Sequence, residues 1–464
     1  MTACFVLLLT VFVALSLVYV ASSGKIVLAR LFEMPVVITV LAVMSFGLAS
    51  LEALIAPDRL DTNLQVGKGL LIAALVLVVV GMIAFWTGCK LVEPMHKAPR
   101  VLSCRKTGGG RVVAVALFLY VVGFVSKIYL LQNHLFSFTA SPDRLEENLA
   151  NAQLFTWGSQ FATVALLMLC IEKHTRPSAW LVRGLFLVVF CSECVWGLIS
   201  GMKSLLLLNF AAVALVSTIL KGRLAAKWVI AAVAGLVIIY PLSNSYRAVI
   251  RGENSVEITD FGAAAKALSL GAASAMQSTG GSSDWLQSGS ESSLSRFDLL
   301  PNVAFILNLG RQASETHGDT RLWMIPYYPF VPRIIWPSKP VLDQGVRFSA
   351  LLGWGTDTST PVTYPADCYI YGGIAGLIGG MLLLGIFAQV CTNSLNGLIS
   401  KYHVLKYSVL LLLCVRIEIG VIDVWVGVLK TLPVLFVIGW AAYGRFKYKS
   451  CRNTRSRPIV TRHA

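Results

Sequence analysis

Long apolar runs divide the chain, and they limit what it can fold into more than any other feature. A helix needs roughly 20 predominantly apolar residues to cross the hydrocarbon core of a bilayer, and about eleven runs approach that length. Backbone amides in hydrocarbon must be satisfied within the protein, which favours helices for runs of this length. The runs are Ala3–Ser22, Pro35–Ile55, Gly67–Gly88, Val112–Leu131, Thr156–Ile171, Gly184–Ser200, Ser204–Leu220, Trp228–Ser245, Cys368–Cys391, Tyr407–Gly420 and Gly427–Tyr443.

The composition agrees with an all-α polytopic membrane protein. Of 464 residues, 56% are hydrophobic and 13% are charged, whereas globular domains carry about 25% charged residues. The net charge of +16 would suit a nucleic-acid-binding protein. In a polytopic protein it is better explained by Lys and Arg held in cytoplasmic loops, so we expect no nucleic-acid partner. Most cysteines lie in apolar runs, which argues against a disulfide framework.

Basic loops predict the orientation. Lys and Arg are concentrated in Lys90–Arg111, Lys173–Arg183 and the tail Arg445–Arg462. If the helices alternate in direction, these segments share one side, which should be cytoplasmic. The N-terminus is then outside and the C-terminus cytoplasmic. The chain divides into N-terminal transmembrane helices over 1–245, a large external loop region over 246–367, and C-terminal helices with a basic tail over 368–464.

The external region has several predicted parts. Tyr246–Leu268 is expected to continue the preceding helix, and the Ser- and Gly-rich Ser269–Ser295 to form a mobile linker. Arg296–Arg311 has the pattern of a helix at the membrane interface. Ile325–Pro340 contains prolines at 326, 329, 332, 337 and 340. These exclude an α-helix and favour an extended, polyproline-type rod.

Aromatic and cationic side chains should project from this rod. Tyr327, Tyr328 and Trp336 supply aromatic rings, and Arg333 and Lys339 supply positive charge. This combination suits a membrane surface that holds anionic and sugar groups. An interfacial aromatic belt with snorkelling cations explains the same residues equally well.

Charged residues inside the apolar runs are costly in hydrocarbon and are therefore candidates for function. Glu193 shares a helix face with Lys203, and the two could line a polar cavity or belong to a local helix-packing network. Lys127 lies near the end of its run and is expected to snorkel. Arg416 and Asp423, seven residues apart, are expected to form a structural ion pair.

Two arginines follow the eighth run. If the helix continues, the i, i+4 spacing places Arg247 and Arg251 on one side. The planar guanidinium pairs bidentately with phosphate oxygens and stays charged, so the pair would suit the diphosphate of a lipid-linked donor. A salt-bridged helix end is the structural alternative.

Acid–base chemistry has several candidates in the external region. Glu315, His317 and Asp319 lie together, and Asp357 and Asp367 precede the ninth run. Inverting glycosyl transfer needs a base for the acceptor hydroxyl, and we select His317 and Asp319, although the cluster is equally consistent with a polar turn. The sequence contains no motif for metal, nucleotide or serine-hydrolase chemistry, so we expect no metal and no cofactor.

Five short motifs together resemble those of the O-antigen (Wzy-type) oligosaccharide repeat-unit polymerases of bacterial inner membranes. The most distinctive is V-P-R-I-I-W-P-S-K-P at Val331–Pro340. A second motif, at Gly201–Ser204, has Lys203 where the family usually has arginine. A lysine cannot make the bidentate contact that a guanidinium makes. The other four motifs are G-M-K-S at Gly201–Ser204, S-Y-R at Ser245–Arg247, R-F-D at Arg296–Asp298 and Y-I-Y-G-G-I-A-G at Tyr369–Gly376.

The resemblance implies a GT-C-like helical fold in the bacterial inner membrane, with a catalytic cavity facing the periplasm. The growing chain, held on undecaprenyl diphosphate, would be transferred to a new lipid-linked repeat unit without nucleotide or metal. A chain-length regulator and a flippase are possible partners. Diphosphate or glycan binding would fall to Lys203, Arg247, Arg251, Arg333 and Lys339, sugar stacking to Tyr327, Tyr328 and Trp336, cavity lining to Glu193, and the base to His317 or Asp319.

Three other functions remain open from the sequence. A ligase that moves finished glycan to another acceptor shares the many-helix layout and the large external loop. A flippase or transporter for the same lipid-linked sugar is less favoured, because no matching halves are visible. A membrane scaffold without catalytic activity is the fourth reading.

Overall fold

The protein is described by a computed structural model over most of its length. The described residues are 2–21, 32–48, 67–93, 101–102, 109–136, 148–176, 178–222, 225–251, 258, 260–278, 298–331, 333, 335–355, 359–396 and 398–444. The acidic loops at 58–61 and 143–147, Asp357 and the basic tail lie outside these ranges.

The described part of the chain is almost entirely helical. Its α-helices, in chain order, are α1 (Thr2–Ala21), α2 (Met34–Val43), α3 (Lys68–Leu91), α4 (Gly109–Gln132), α5 (Leu149–Ser159), α6 (Phe161–Thr175), α7 (Trp180–Ile199), α8 (Lys203–Lys221), α9 (Ala226–Arg251), α10 (Phe261–Ser278), α11 (Leu300–Leu309), α12 (Gln344–Leu351), α13 (Tyr364–Asn393), α14 (Lys401–Cys414) and α15 (Val421–Tyr443). A π-helical turn, Met44–Leu48, extends α2, and 3₁₀ turns cover Gly310–His317 and Leu322–Met324. Two-residue strands β1 (Val101–Leu102) and β2 (Leu398–Ile399) pair in parallel.

The prediction of a helical membrane protein is confirmed in its broad form. Seven helices in the described ranges are long and apolar enough to cross a membrane. Two more apolar helices, Met34–Gly47 and Leu205–Lys221, are shorter. The fourteen-residue α14 is also short, so part of the predicted eleven runs form shorter helices. The seven candidate spans are Cys4–Ala21, Lys68–Leu91, Gly109–Gln132, Ala150–Thr175, Trp180–Ile199, Tyr364–Asn393 and Val421–Tyr443.

Close helix crossings depend on glycine. A Cβ atom at Gly385 of α13 would collide with the carbonyl oxygen of Phe85 in α3, and one at Gly88 would collide with that of Leu382. The Sγ of Cys89 donates to the Gly385 carbonyl at 3.3 Å across the same contact. Small residues bring helices together in this way where burial of apolar surface cannot, because lipid is itself apolar.

A buried ion pair joins two of the candidate spans. Lys127 Nζ of α4 lies 2.5 Å from Glu193 Oε1 of α7, with side-chain exposures of 9% and 4%. The backbone carbonyl of Glu193 accepts from Asn209 Nδ2 at 3.1 Å. Of the two readings of Glu193, the structure favours the helix-packing network. The prediction that Lys127 snorkels is wrong, because its ammonium turns inward to the carboxylate.

Several basic loops gather at one end of the bundle, called here the basic end. Lys401 Nζ at the start of α14 lies 2.7 Å from Glu172 Oε1 at the end of α6. Asn393 Nδ2 at the end of α13 donates to the Val92 carbonyl after α3 at 2.9 Å. This clustering is what the predicted orientation requires, although the side of the membrane stays a prediction.

Two predictions for the external region are corrected. Ser269–Ser278 belongs to α10 and not to a mobile linker, because an alanine-rich stretch precedes it and favours helix. Residues 279–295 lie outside the described part. Residues 300–309 form the predicted helix, but Leu300, Val303 and Ile306 are buried, so α11 packs into the protein and does not lie on a membrane surface.

The α3–α13 contact can be tested with a pair of glycines in the same helix. Gly385→Ala should destabilise the protein by about 1–3 kcal/mol, because overpacking against a helix backbone cannot relax through a side chain. Gly379→Ala meets nothing within 4 Å and should be neutral or slightly stabilising. Equilibrium unfolding in mixed micelles measures both, and equal effects would contradict the contact.

The Lys127–Glu193 pair makes a second test. Lys127→Ala alone should cost about 3–5 kcal/mol because it leaves a buried carboxylate without a partner. The double variant Lys127→Met/Glu193→Leu should recover most of that loss, since apolar residues of similar volume can replace a buried pair. Lys90→Ala, which breaks the exposed pair with Glu93, should cost about 1 kcal/mol or less. A double variant as unstable as the single one would contradict the assignment.

Candidate functional site

Asp367 is the hub of a polar cluster at the end of α13 remote from the basic end. Its side chain is completely buried, and its Oδ1 lies 2.8 Å from His317 Nε2. Gln344 Nε2 also donates to Oδ1. The backbone N–H of Val421 donates to Oδ2 at 2.6 Å. Both carboxylate oxygens therefore have hydrogen-bond donors from other elements.

The position of Asp367 explains why a buried negative charge is stable there. Asp367 lies in the first turn of α13, and Val421 is the first residue of α15. The N-terminus of a helix carries partial positive charge and unpaired N–H groups, which favour an anion. Two helix N-termini thus face one carboxylate. Gly420 has no side chain at this point, and a Cβ there would collide with Gln344.

His317 is held in a defined orientation at the end of the 3₁₀ turn Gly310–His317. Its ring stacks on Tyr371 with centroids 3.6 Å apart and planes 9° from parallel. When Nε2–H donates to Asp367, Nδ1 carries the free lone pair. Among the described residues no hydrogen bond occupies Nδ1. The arrangement can therefore take a proton at Nδ1 and stabilise the resulting imidazolium through Asp367.

A small pocket opens beside this pair, with about 230 Å³ of empty space that includes open solvent at its mouth. Two carboxylates line it, those of Asp343, which pairs with Arg347 at 2.8 Å, and Asp423 of α15. Within the described ranges no cation lies within salt-bridge distance of Asp423. The pocket lining consists of His317, Thr320, Val341, Leu342, Asp343, Gln344, Tyr371, Ile422 and Asp423.

The structure separates the two residues predicted as the base. His317 is buried with its carboxylate partner, whereas Asp319, two residues later, is exposed. The intervening Gly318 has a positive φ of 51°, and this turn directs the chain out of the pocket. The geometry favours His317 over Asp319.

The expected Arg416–Asp423 ion pair is also absent from the described structure. Arg416 Nε instead lies 3.4 Å from Glu418 Oε1 on the surface. The prediction assumed one continuous helix, but α14 ends at Cys414 and α15 begins at Val421. Arg416 therefore lies in the connection, and Asp423 is free to face the pocket.

The described residues of Ile325–Pro340, all but Pro332 and Ile334, are folded into turns, so the prediction of an extended rod is wrong. Backbone N–H groups of Tyr328 and Val331 bond to carbonyls four residues earlier, and those of Phe330 and Lys339 to carbonyls three residues earlier. Proline suits the second position of a β-turn as well as an extended chain, because its φ is already near −65°. The N–H groups of the residues that are not proline close the turns.

Lys339 stabilises these turns from inside. Its exposed fraction is only 4%, and its Nζ donates to the carbonyls of Tyr328 at 2.7 Å and Val331 at 2.9 Å. The ammonium also lies 4.2 Å from the Tyr328 ring centroid. Burial lowers the pKa of Lys339, and the nearby Arg333 adds to that effect. Burial raises the pKa of the Tyr328 hydroxyl to about 12.

The predicted ligand-binding roles in this stretch differ in accessibility. Tyr328 is 2% exposed and its hydroxyl donates to the Pro340 carbonyl at 2.7 Å, so its ring faces the protein and not a sugar. Tyr327 and Trp336 are partly exposed, with centroids 5.7 Å apart. Arg333 donates from Nη2 to the Pro340 carbonyl at 3.1 Å, its one hydrogen bond among the described residues.

A second polar junction joins two motifs from distant parts of the sequence. Gly201, with a positive φ of 64°, directs its carbonyl to the Nε of Arg247 at 2.8 Å and the Oγ of Ser243 at 3.1 Å. The Tyr246 hydroxyl donates to the Ile199 carbonyl at 2.9 Å. These bonds satisfy carbonyls at the end of α7, so Arg247 serves partly as a helix cap.

Two further predicted residues border this junction. Lys203 begins α8 and Arg251 ends α9, but both side chains lie outside the described part of the structure. Their proposed contacts with phosphate stay predictions.

Sequence reasoning overlooked Gln344, which carries no distinctive local pattern. It placed Tyr371 only in the motif Tyr369–Gly376, assigned Asp423 to an ion pair with Arg416, and named Asp367 without selecting it. Asp367 had one usable signal, an acid just after a proline at the start of an apolar run, where a helix N-terminus favours negative charge.

Asp367 should be essential for stability at this end of the bundle. Asp367→Ala leaves His317, Gln344 and a backbone N–H buried without their acceptor, and we expect a loss of about 3–5 kcal/mol. Asp367→Asn keeps one oxygen acceptor and should lose less. Asp319→Ala changes an exposed turn and should stay within about 0.5 kcal/mol. Unfolding in mixed micelles measures the stability of the three variants. A loss below about 1 kcal/mol in Asp367→Ala would contradict the central role of Asp367.

The comparisons with known proteins identify a family whose function is unknown. No curated protein and no solved structure matches the chain. A family model described as a domain of unknown function (DUF8712) matches residues 125–411. That range contains His317, Gln344, Asp367 and Arg247, and ends before Asp423. Because the match covers more than half of the chain, the protein belongs to the DUF8712 family.

Proposed function

We propose that this protein is a membrane glycosyltransferase of the polysaccharide-polymerase type, with a GT-C-like arrangement of helices. It would join undecaprenyl-diphosphate-linked oligosaccharide repeat units into O-antigen, capsule or exopolysaccharide chains. The observation that carries the proposal is the His317–Asp367 pair, which is buried, oriented and open to a pocket at the end of the bundle remote from the basic loops.

The chemistry of inverting transfer fits this pair. An acceptor sugar hydroxyl in the pocket would give its proton to His317 Nδ1 as its oxygen attacks the anomeric carbon of the donor. The anomeric C–O bond breaks, and the lipid diphosphate leaves with the electron pair. Asp367 holds the tautomer and stabilises the imidazolium, and Gln344 and the α15 N-terminus hold Asp367.

The described lining of the pocket has two carboxylates and no cation, so an anionic donor would be bound by cations beside it. Arg333 donates to Pro340, next to the lining residue Val341, and Arg247 lies at the same end of the bundle. Tyr327 and Trp336 remain candidates for sugar contacts. Cleavage of the bond to the diphosphate leaving group supplies the free energy of the reaction, so the reaction would require no nucleotide.

A transporter for the same lipid-linked saccharide is the second candidate, because one observation favours it. Gly372 and Gly373 interrupt the candidate span α13 with non-helical backbone angles, and Gly373 has a φ of 58°. Broken helices and charged residues at membrane depth are typical of secondary transporters. A ligase differs from the polymerase only in its acceptor.

The decisive experiment is the glycan ladder of a host that lacks this chain, rescued with variants. His317→Gln should lower elongation at least about 100-fold, the usual contribution of a positioned base. Asp319→Asn, with the same loss of a titratable group on the neighbouring turn, should rescue fully. Both variants need equal amounts of inserted protein.

The same ladder separates the alternatives. Single repeat units displayed without elongation support the polymerase. Finished polymer that accumulates on its carrier lipid would indicate a ligase, and repeat units retained on the cytoplasmic leaflet would indicate a transporter. An unchanged ladder in the host without the chain would refute all three.

A further inference from the structure

Helix α15 carries a lysine in the interior of a candidate membrane span. Lys430 lies nearer the middle than either end of Val421–Tyr443, about 14 Å along the axis from Val421 at 1.5 Å per residue. The half-thickness of the hydrocarbon core is about 15 Å. Ionisable residues at such depth are costly and are functional candidates by default.

The Lys430 ammonium has an aromatic partner but no acid. Its Nζ lies 4.9 Å from the ring centroid of Trp157 in α5. Among the described residues, no carboxylate lies within 4.0 Å of it. The nearest acid along α15 is Asp423, about 10 Å earlier along the axis. A cation–π contact stabilises an ammonium only in part, so positive charge remains uncompensated.

The backbone near Lys430 is interrupted on two helices. Trp157 lies two residues before the end of α5 at Ser159, and α6 begins at Phe161. Pro433 has no N–H to donate to the carbonyl of Leu429 within α15. Irregular backbone at membrane depth is tolerated where it is buried in protein or lines a cavity.

More positive charge follows towards the pocket. Lys339 acts on Lys430 through space as a like charge, and Arg333 acts on Lys339 in the same way. Lys339 is itself held by two carbonyls and the Tyr328 ring, so it contributes its charge and not a free donor. The three cations form a series from the interior of α15 into the proline-rich stretch, and an anion between them would relieve their repulsion.

We infer that Lys430, backed by the Trp157 ring, binds the diphosphate group of a polyprenyl-linked ligand. A diphosphate carries several negative charges, which suits a series of cations better than a monovalent anion does. Its apolar chain would remain in the hydrocarbon beside α5 and α15. The identity of the anion rests on the proposed function, whereas the anion site itself rests on the geometry.

The test is direct binding to the purified, full-length protein in detergent micelles. Geranylgeranyl diphosphate, geranylgeraniol and inorganic pyrophosphate are titrated by calorimetry against the wild type, Lys430→Gln and Lys430→Arg. Lys406→Gln is the matched control, because it removes the same charge from α14 far from the pocket. Lys430→Met, which suits hydrocarbon, replaces Lys430→Gln if that variant does not fold.

We expect the wild type to bind the diphosphate at least about tenfold more tightly than the alcohol. Lys430→Gln should lose that difference, whereas Lys430→Arg and Lys406→Gln should keep it. Equal binding by wild type and Lys430→Gln, or an equal loss in Lys406→Gln, would overturn the inference. If inorganic pyrophosphate binds as tightly and with the same dependence on Lys430, the site recognises a free phosphate ion and not a lipid.

This outcome is independent of the glycan ladder, because the titration contains no sugar. An unchanged ladder in a host that lacks the chain would refute glycosyl transfer and leave the binding result intact. Failure of Lys430-dependent binding would leave His317 as the proposed base.

Discussion

The carboxylate of Asp367, placed where two helices begin, is the interaction on which the rest of the candidate site depends. It accepts from His317, from Gln344 and from the backbone of Val421. These donors come from a 3₁₀ turn, from α12 and from α15. A buried charge is tolerated only with such partners, so these hydrogen bonds hold the 3₁₀ turn, α12 and α15 in position against the start of α13. The geometry of the pocket follows from that constraint.

Charged residues within and at the ends of the helices serve two different purposes in this fold. Lys127 and Glu193 compensate each other and join α4 to α7, and Glu172 is compensated by Lys401 at the basic end. These pairs fix helix packing. Asp423 and Lys430, both on α15, form no salt bridge among the described residues, although Arg416 acts on Asp423 from a greater distance. The presence of a salt-bridge partner therefore distinguishes the charges that fix helix packing from those that we propose for ligand binding.

The helices could be predicted from the sequence, but the contacts within the site could not. Apolar runs identify helices because burial in hydrocarbon and helix formation both follow composition over about 20 residues. The pairing of His317 with Asp367 joins residues 50 positions apart and leaves no periodic signal. Lys339 was predicted to meet a ligand, but its ammonium completes the turns of its own segment. Proline alone does not decide between rod and turn, since its φ suits both.

The break in α13 at Gly372 and Gly373 also determines the shape of the candidate site. Tyr371 is the last residue before Gly372 and Gly373, and its ring stacks on His317. If α13 were straight, Tyr371 would have a different position relative to the part of the helix that follows the break. The break thus lets the first two turns of α13 follow the site while the rest packs against α3. Asp367 joins those same two turns to α12 and α15, so the break places Asp367 and Tyr371 together beside the pocket.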